Sequence, residues 1–181
     1  STDLFEHEIW VLLNLRKSEM YEKFKSKGLK INFIGNKNLI FFIKGIIKFT
    51  IYVYKNKPDL IQTWLYHSDL LSLLLKGTNI PILWNIRHTN SNIIDSPLHR
   101  IITIWICSLI SYFVPDAIIC CSKSGIKYHK KIGYSNKFKY IPNGSVRYLS
   151  LLKQRKKREE ELPYNIGFFH RYNKQKDIAT F

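Results

Sequence analysis

Short apolar runs alternate with amphipathic stretches along most of this chain, and this alternation restricts the fold more than any other feature. The amphipathic stretch 39–54, for example, is predicted to form a helix with a polar stripe, because Lys44 and Lys48 lie four residues apart among apolar residues. Repeated β-α units of this kind build a parallel sheet, so the sequence predicts an α/β fold. The predicted strands are 8–15, 30–34, 60–64, 82–86, 117–121 and 138–141.

Capping residues indicate where the predicted helices begin. Ser122 is a good N-cap, and Ser96 followed by Pro97 is typical of the N-cap and first position of a helix over 97–113. A further helix is predicted over 67–76. The helix over 97–113 places five apolar side chains at helical spacing on one side, namely Leu98, Ile101, Ile102, Trp105 and Leu109.

The composition changes towards the C-terminal end of the chain. A charge run, KQRKKREEE over 153–161, precedes an apolar run over 164–169 and a polar turn. We therefore predict two domains. Residues 1–147 form an α/β domain, and 148–181 form a linker and the opening β-turn-α of a second domain.

Charge and cysteine content narrow the classes of partner and compartment. The 181-residue chain has 29 Lys and Arg against 13 Asp and Glu, a net charge of +16 that attracts phosphate in nucleic acid, in lipid headgroups or in a nucleotide. Three cysteines without a CxxC pair favour a reducing compartment. The longest uncharged run, 101–115, is shorter than the roughly 18–20 residues that a spanning helix needs. A cytoplasmic location is expected.

Most motifs of catalytic or cofactor sites are absent from the sequence. It contains no GxGxxG, GxxxxGK[ST], HExxH or GxSxG pattern, and its six histidines lack metal-ligand spacing. No cofactor or metal is therefore expected. Polar residues instead follow the predicted strands, where parallel α/β sheets bind ligands. These candidates are His67, Arg87, His88 and Ser122.

A second group of candidates lies near the C-terminal end. Arg171 and Lys176 follow the apolar run 164–169, at a predicted strand-to-helix turn. An arginine fork and a lysine point charge beside a helix N-terminus suit a diphosphate. In a chain this basic, however, composition alone favours two surface cations.

Five segments in order resemble the family-4 glycosyltransferases of GT-B architecture: PDLIQTWLYHSDL, PILWNIRHTN, AIICCSKSGIKYHKKIG, KFKYIPNG and IGFFHRYNKQKD. The resemblance implies two Rossmann-like domains that transfer a sugar from a nucleotide-sugar donor to a glycan or lipid-linked acceptor, usually with retention and without a metal. It matches His88 to a histidine near the transferred sugar, and Arg171 and Lys176 to the cations that neutralise the donor diphosphate. His67, Arg87, Asn143 and Ser122 would line the cleft or hinge on the acceptor side, and polysaccharide biosynthesis is the implied setting.

The same resemblance implies that parts of such an enzyme lie outside this sequence. A first strand with its Gly-rich loop is expected before Glu8, and most of the donor domain is expected after Phe181. In the doubly wound order the first strand is central, so the remaining strands should be wrongly paired or keep exposed edges. We therefore expect the isolated chain to be marginally stable and inactive.

Two other functions remain as alternatives at this stage. The charge of +16 is compatible with a nucleic-acid-binding α/β module, although no recognised RNA or DNA motif occurs and we expect no nucleic acid partner. The basic amphipathic stretches 39–54 and 125–131 are compatible with peripheral association at an anionic membrane surface. A membrane location would fit a glycosyltransferase with a lipid-linked acceptor.

Overall fold

The structure is a computed structural model that describes residues 5–13, 18–35, 38–88 and 97–144. The chain divides after Asn143 into two units, and every element named below belongs to the first. Arg171, Lys176, the β-turn-α expected after 164 and the Ser96 cap lie outside the described residues. The assignment of 1–147 and 148–181 to separate domains stays a prediction.

The described elements alternate between strand and helix, as the sequence predicts. In chain order they are β1 (Glu8–Leu13), α1 (Glu19–Lys25), β2 (Lys30–Gly35), α2 (Leu39–Asn56), β3 (Ile61–Trp64), α3 (Tyr66–Leu71), a 3-10 helix (Ser72–Thr78), β4 (Ile82–Ile86), α4 (Leu98–Ile110), β5 (Ala117–Cys120), α5 (Lys123–Lys131) and β6 (Phe138–Tyr140). All strand pairs are parallel, so the predicted parallel α/β fold is confirmed.

The described strands form two sheets instead of one. One sheet has the order β1-β2 and the other has the order β3-β4-β5-β6. The outer strands β3 and β6 therefore each have one edge without a partner among the described strands. Two-stranded sheets are marginal alone, so β1 and β2 depend on the helices that cover them.

Helices α1 and α2 pack on opposite faces of the β1-β2 sheet. Phe33 contacts Tyr21 of α1, with ring centroids 5.6 Å apart. The next residue, Ile34, is buried against α2, where Gly45 allows close approach of the two backbones. Trp10 of β1 also packs on α2, with its ring 5.1 Å from Phe49. Successive strand residues point to opposite faces, so the alternation in β2 separates the two helices.

The core of the second sheet lies on the face that carries Trp84. This side chain is fully buried, and its indole N–H donates to the Ser72 hydroxyl of the 3-10 helix at 2.9 Å. The Cys107 thiol of α4 donates to the Tyr66 carbonyl at 3.3 Å, which joins α4 to α3. His129 of α5 contacts Phe138 of β6. The opposite face of this sheet exposes Gln62, Trp64 and Lys139.

Three helices differ from their predicted boundaries. Helix α2 ends at Asn56 instead of residue 54, and α4 ends at Ile110 instead of residue 113. The helix predicted over 67–76 is an α-helix that ends at Leu71 and continues as the 3-10 helix. Helix α4 begins at Leu98 with Pro97 as its N-cap residue, one position later than the Ser96-Pro97 pattern predicts. The Ser122 cap is confirmed, because its hydroxyl accepts from the Gly125 backbone N–H at 2.9 Å.

The apolar side of α4 faces outwards. Leu98, Trp105 and Leu109 are 71%, 68% and 67% exposed, whereas an apolar helix stripe ordinarily covers a core. The inward side combines two isoleucines with smaller and more polar residues, and α4 contacts α3. These buried residues are Thr103, Ile104, Cys107, Ser108 and Ile110.

Candidate functional site

The strand-end candidates lie where the parallel strands of the second sheet end. His88 follows β4 by two residues, and Ser122 follows β5 by two residues. His67 lies in the first turn of α3, which begins two residues after β3. The carboxyl ends of neighbouring parallel strands form one edge of a sheet, so these side chains share that edge.

Arg100 holds the imidazole of His88. The guanidinium Nη2 is 3.5 Å from His88 Nδ1, and because a guanidinium has only donors, Nδ1 is the acceptor. Burial lowers the pKa of His88, and the charge of Arg100 lowers it further. A neutral His88 with an occupied Nδ1 carries its proton on Nε2. The ring therefore presents an N–H donor that suits a sugar hydroxyl or a phosphate oxygen.

His67 belongs to the same cluster. Its ring lies 6.1 Å from that of His99. Burial lowers the pKa of His67, and the charges of His99 and Arg100 lower it further. His99 and Arg100 are adjacent in α4, so the start of this helix lies beside both His67 and His88, and the structure brings these two predicted residues to one place.

Tyr66 packs against His88 and is hydrogen-bonded to His129. His129 Nδ1 is 2.8 Å from the Gly125 carbonyl, which only accepts, so Nδ1 carries the proton. Burial lowers the pKa of His129, which keeps the ring neutral and leaves Nε2 as an acceptor. The Tyr66 hydroxyl donates to this Nε2 at 2.8 Å, and the Tyr66 ring stacks on His88 at 5.9 Å.

Removing the Tyr66 hydroxyl is expected to destabilise the fold. In Tyr66→Phe the buried Nε2 of His129 loses its donor, and an unsatisfied buried polar atom costs about 1–3 kcal/mol. Urea denaturation monitored by circular dichroism measures this loss. Tyr54→Phe is the matched control, because Tyr54 is 44% exposed and water can replace its bond to the Leu74 carbonyl. Equal unfolding free energies for both variants would contradict the Tyr66–His129 bond.

Ser122 is connected to the His88 segment indirectly, through helix α5. Its hydroxyl caps α5 at Gly125. A side chain at Gly125 would approach the His88 carbonyl, because a β-carbon placed there would lie 3.3 Å from that oxygen. The start of α5 therefore packs directly against the segment that carries His88.

A second polar group surrounds Arg87. The Arg87 guanidinium donates to the Asn143 side-chain oxygen and lies over the Trp64 ring, 4.7 Å from its centre. Arg87 Nε is buried without a hydrogen-bond partner, and so is the side-chain oxygen of Asn85. Asn85 and Arg87 are two residues apart, and Trp64 is the register partner of Asn85. Unpaired buried polar atoms are rare in folded proteins, and these two lie at the edge where parallel sheets bind ligands.

Sequence reasoning missed Asn85, Tyr66, Arg100 and His129. Asn85 and Tyr66 lie inside the strand-end segments that the sequence singles out, so their position alone was a usable signal. His129 lies four residues after Gly125 on the face of α5 that packs inwards. Arg100 has no such signal, because nothing local shows that α4 passes the end of β4.

The described residues contain no evident metal centre. Within 5–13, 18–35, 38–88 and 97–144, no three His, Cys, Asp or Glu side chains lie close enough together to hold a metal ion. The roles assigned to His67, Arg87, His88, Ser122 and Asn143 stay predictions. The geometry shows that His67 and His88 both lie beside the start of α4, His67 at His99 and His88 at Arg100, and that Arg87 pairs with Asn143.

Comparison with known structures supports the fold. The crystal structure of Anabaena Alr3699/HepE in complex with UDP and glucose aligns with a TM-score of 0.61 at 12% identity, over 76% of this chain and 36% of that chain. The complex of the same protein with UDP aligns with a TM-score of 0.62 at 10% identity, over 80% of this chain and 38% of that chain. At such identities the likeness shows a shared fold, and this chain spans little more than a third of those proteins.

Comparison with known sequences identifies the family. No curated protein matches the chain. The sequence model of Glycosyltransferase Family 4 matches residues 6–145, which include every described element and the histidine cluster. The resemblance inferred from the strand-end segments is thereby confirmed, and the chain belongs to Glycosyltransferase Family 4.

Proposed function

We propose that this chain forms the acceptor-side part of a glycosyltransferase that moves a sugar from a nucleotide-sugar donor to a glycan or lipid-linked acceptor. The observation that carries the proposal is the match to Glycosyltransferase Family 4 over the residues that build the His67–His88–Arg100 cluster. Because Alr3699/HepE has been crystallised with UDP-glucose, a uridine diphosphate sugar is the first donor to test.

The described side chains fit a role next to the transferred sugar. His88 offers a neutral imidazole N–H, which donates to a sugar hydroxyl without adding charge beside the anomeric carbon. Arg171 and Lys176 are the proposed partners of the diphosphate. Breaking the sugar–phosphate bond builds negative charge on the leaving group, and fixed cations there stabilise the transition state more than the ground state.

The remaining assignments of the proposal concern the acceptor and the reaction class. His67, Arg87, Asn143 and Ser122 are assigned to the acceptor side, where the paired Arg87 and Asn143 side chains present polar atoms to hydroxyl groups. We propose metal-independent transfer with retention at the anomeric carbon, in polysaccharide biosynthesis on the cytoplasmic side of the membrane. Metal independence rests on Arg171 and Lys176 as substitutes for a divalent cation.

Binding of UDP-glucose and of UDP by this chain within the longer protein that the resemblance implies tests the donor assignment, because most of the donor domain is expected after Phe181. Arg171→Ala combined with Lys176→Ala should weaken both ligands by at least about 100-fold, because two charge-assisted contacts of about 1.5–3 kcal/mol each are lost. His88→Ala should weaken UDP-glucose several-fold and leave UDP unchanged, because the imidazole is assigned to the sugar. Isothermal titration calorimetry measures the affinity of the wild type and of each variant for UDP-glucose and for UDP.

The controls carry the same chemical changes on exposed residues. Lys23→Ala combined with Lys27→Ala removes two positive charges, and His7→Ala removes an exposed imidazole. If the Lys23 and Lys27 pair weakens UDP as much as the Arg171 and Lys176 pair does, the nucleotide is held by net charge alone and the donor site is wrong. If His88→Ala weakens UDP as much as UDP-glucose, the assignment of His88 to the sugar is wrong.

A further inference from the structure

Asn143 is the only asparagine of this sequence that is followed by a glycine. Asn143 and Gly144 are both exposed, and they lie in irregular backbone after β6. In such a pair the glycine backbone nitrogen can attack the asparagine side-chain amide, because glycine has no β-carbon to obstruct the approach and adopts conformations closed to other residues. The order and the exposure of these two residues therefore indicate a reactive side-chain amide.

The space around Gly144 allows this attack. A β-carbon built at Gly144 would meet no atom within 4 Å among the described residues, its chain neighbours apart. Other described asparagines lack the combination of exposure and a following glycine. Asn56 is exposed but precedes a lysine, and Asn85 is buried and precedes an isoleucine, whose branched β-carbon would obstruct the approach.

Arg87 activates the side-chain amide of Asn143. Its guanidinium has only donors and contacts the side-chain oxygen of Asn143, so this oxygen is the acceptor. Arg87 also lies over the Trp64 ring, 4.7 Å from its centre, which holds the positive charge in place. A fixed cation on the amide oxygen withdraws electrons from the attacked carbon and stabilises the oxyanion that forms there.

The charges at this edge of the sheet also favour a carboxylate as the product. Segments 64–68, 85–88 and 140–144, at the ends of β3, β4 and β6, contain no Asp or Glu. A carboxylate at position 143 would therefore meet the Arg87 cation, and these segments would bring no negative charge against it.

We propose that Asn143 is a deamidation site, that Arg87 promotes the reaction, and that Arg87 then pairs with the carboxylate produced. The Gly144 backbone nitrogen loses its proton to solvent and bonds to Asn143 Cγ, the Cγ–Nδ2 bond breaks, and Nδ2 takes a proton from solvent and leaves as ammonia. Water then opens the cyclic imide, adding its hydroxyl to one of the two carbonyl carbons and its hydrogen to the nitrogen. The net reaction consumes one water and releases one ammonia, and it gives aspartic or isoaspartic acid.

Deamidation would change both the charge and the backbone at this position. The new carboxylate pairs with Arg87, so the cation is no longer free to contact an acceptor; this consequence rests on the proposed function, whereas the deamidation itself does not. An isoaspartate also adds one carbon to the backbone, at the point where the chain divides into its two units.

Peptide mapping by mass spectrometry tests the proposal in the 181-residue chain incubated at neutral pH. The peptide that contains position 143 should gain one mass unit with time, and isoaspartate should be found at that position. Asn56 and Asn79 are both exposed and are not followed by glycine, so they should react at least several-fold more slowly. Gly144→Ala should slow the reaction at position 143 to a rate near theirs.

Two variants test the role of Arg87. Arg87→Ala removes the guanidinium, Arg87→Gln keeps a polar side chain without the charge, and each should slow the reaction several-fold in the folded chain. These differences should vanish in concentrated urea, because unfolding removes the contact between Arg87 and Asn143. Lys123→Ala is the matched control and should leave the rate unchanged, since its cation lies instead over the Tyr140 ring, 5.7 Å from the centre.

The outcomes separate the site from the role of Arg87. If position 143 reacts no faster than Asn56 and Asn79, Asn143 is not a deamidation site. If both Arg87 variants react as fast as the wild type in the folded chain, or if Lys123→Ala slows the reaction equally, Arg87 does not promote it. None of these measurements involves a nucleotide sugar, so they stay valid if the proposed function fails.

Discussion

Asp69→Asn is expected to become steadily more stable than the wild-type chain as the pH rises from about 5 to about 8. Asp69 is fully buried in α3, and burial raises the pKa of its carboxyl to about 8. One carboxyl oxygen accepts from the Thr63 hydroxyl at 2.5 Å, and the other has no hydrogen-bond partner. The folded chain therefore holds this carboxyl as the neutral acid at neutral pH.

The direction of the effect follows from proton linkage. In the unfolded chain the pKa of Asp69 is near 4, so between about pH 4 and 8 the folded state binds one proton more than the unfolded state. The stability that this proton contributes is fully present below about pH 4 and is lost as the pH rises towards 8. The slope is as large as ~1.4 kcal/mol per pH unit.

Urea denaturation at several pH values measures this dependence. The variant and the wild type share His67, His88 and His129, whose lowered pKa values change stability in the opposite direction, so the difference between the two curves isolates Asp69. Asp59→Asn is the matched control, because it removes a carboxylate from an exposed residue, and the steady gain in relative stability should be specific to Asp69→Asn. Parallel curves for the wild type and Asp69→Asn would show that Asp69 is not buried as an acid.

The sequence predicts the elements of this fold well because their signals are local. The short apolar runs predict both ends of each of the six described strands to within two residues. The Ser122 hydroxyl caps α5, as its position in the sequence indicates. The strand-end rule places His88 and Ser122 at one edge of the second sheet without knowledge of any contact. Each of these inferences needs only a window of a few residues.

Features that depend on distant parts of the chain could not be predicted in the same way. Helical periodicity shows that Leu98, Trp105 and Leu109 share a side of α4, but it does not show which side packs inwards. The bond between Tyr66 and His129 joins residues 63 positions apart, so no local pattern indicates it. The division into two sheets could not be predicted from the β-α pattern either, because that pattern shows the order of the strands along the chain and not which strands pair.

Gly45→Ala is expected to destabilise the fold by about 2 kcal/mol or more, although alanine is the better helix former. Gly45 lies inside α2, where the exchange alone would stabilise the helix by about 1 kcal/mol. A β-carbon at this position would overlap the backbone carbonyl of Ile34 in β2. Overpacking a tight contact typically costs about 1–3 kcal/mol, and more when the obstacle is backbone that cannot rotate away.

Gly77→Ala is the matched control for this prediction. A β-carbon at Gly77 would lie 2.8 Å from the Tyr54 hydroxyl, which is the far end of an exposed and flexible side chain. Tyr54 can move, so we expect a loss below about 1 kcal/mol. Urea denaturation followed by helical circular dichroism compares the two variants.

The comparison also tests how the β1-β2 sheet is held in the fold. Because β1 and β2 pair only with each other among the described strands, their stability depends on Trp10 and Ile34 packing against α2. Gly45→Ala should therefore weaken hydrogen-exchange protection in β2 more than in β4, whose neighbours β3 and β5 are unaffected. If Gly45→Ala is as stable as Gly77→Ala, or if protection falls equally in β2 and β4, the close backbone contact between α2 and β2 is wrong.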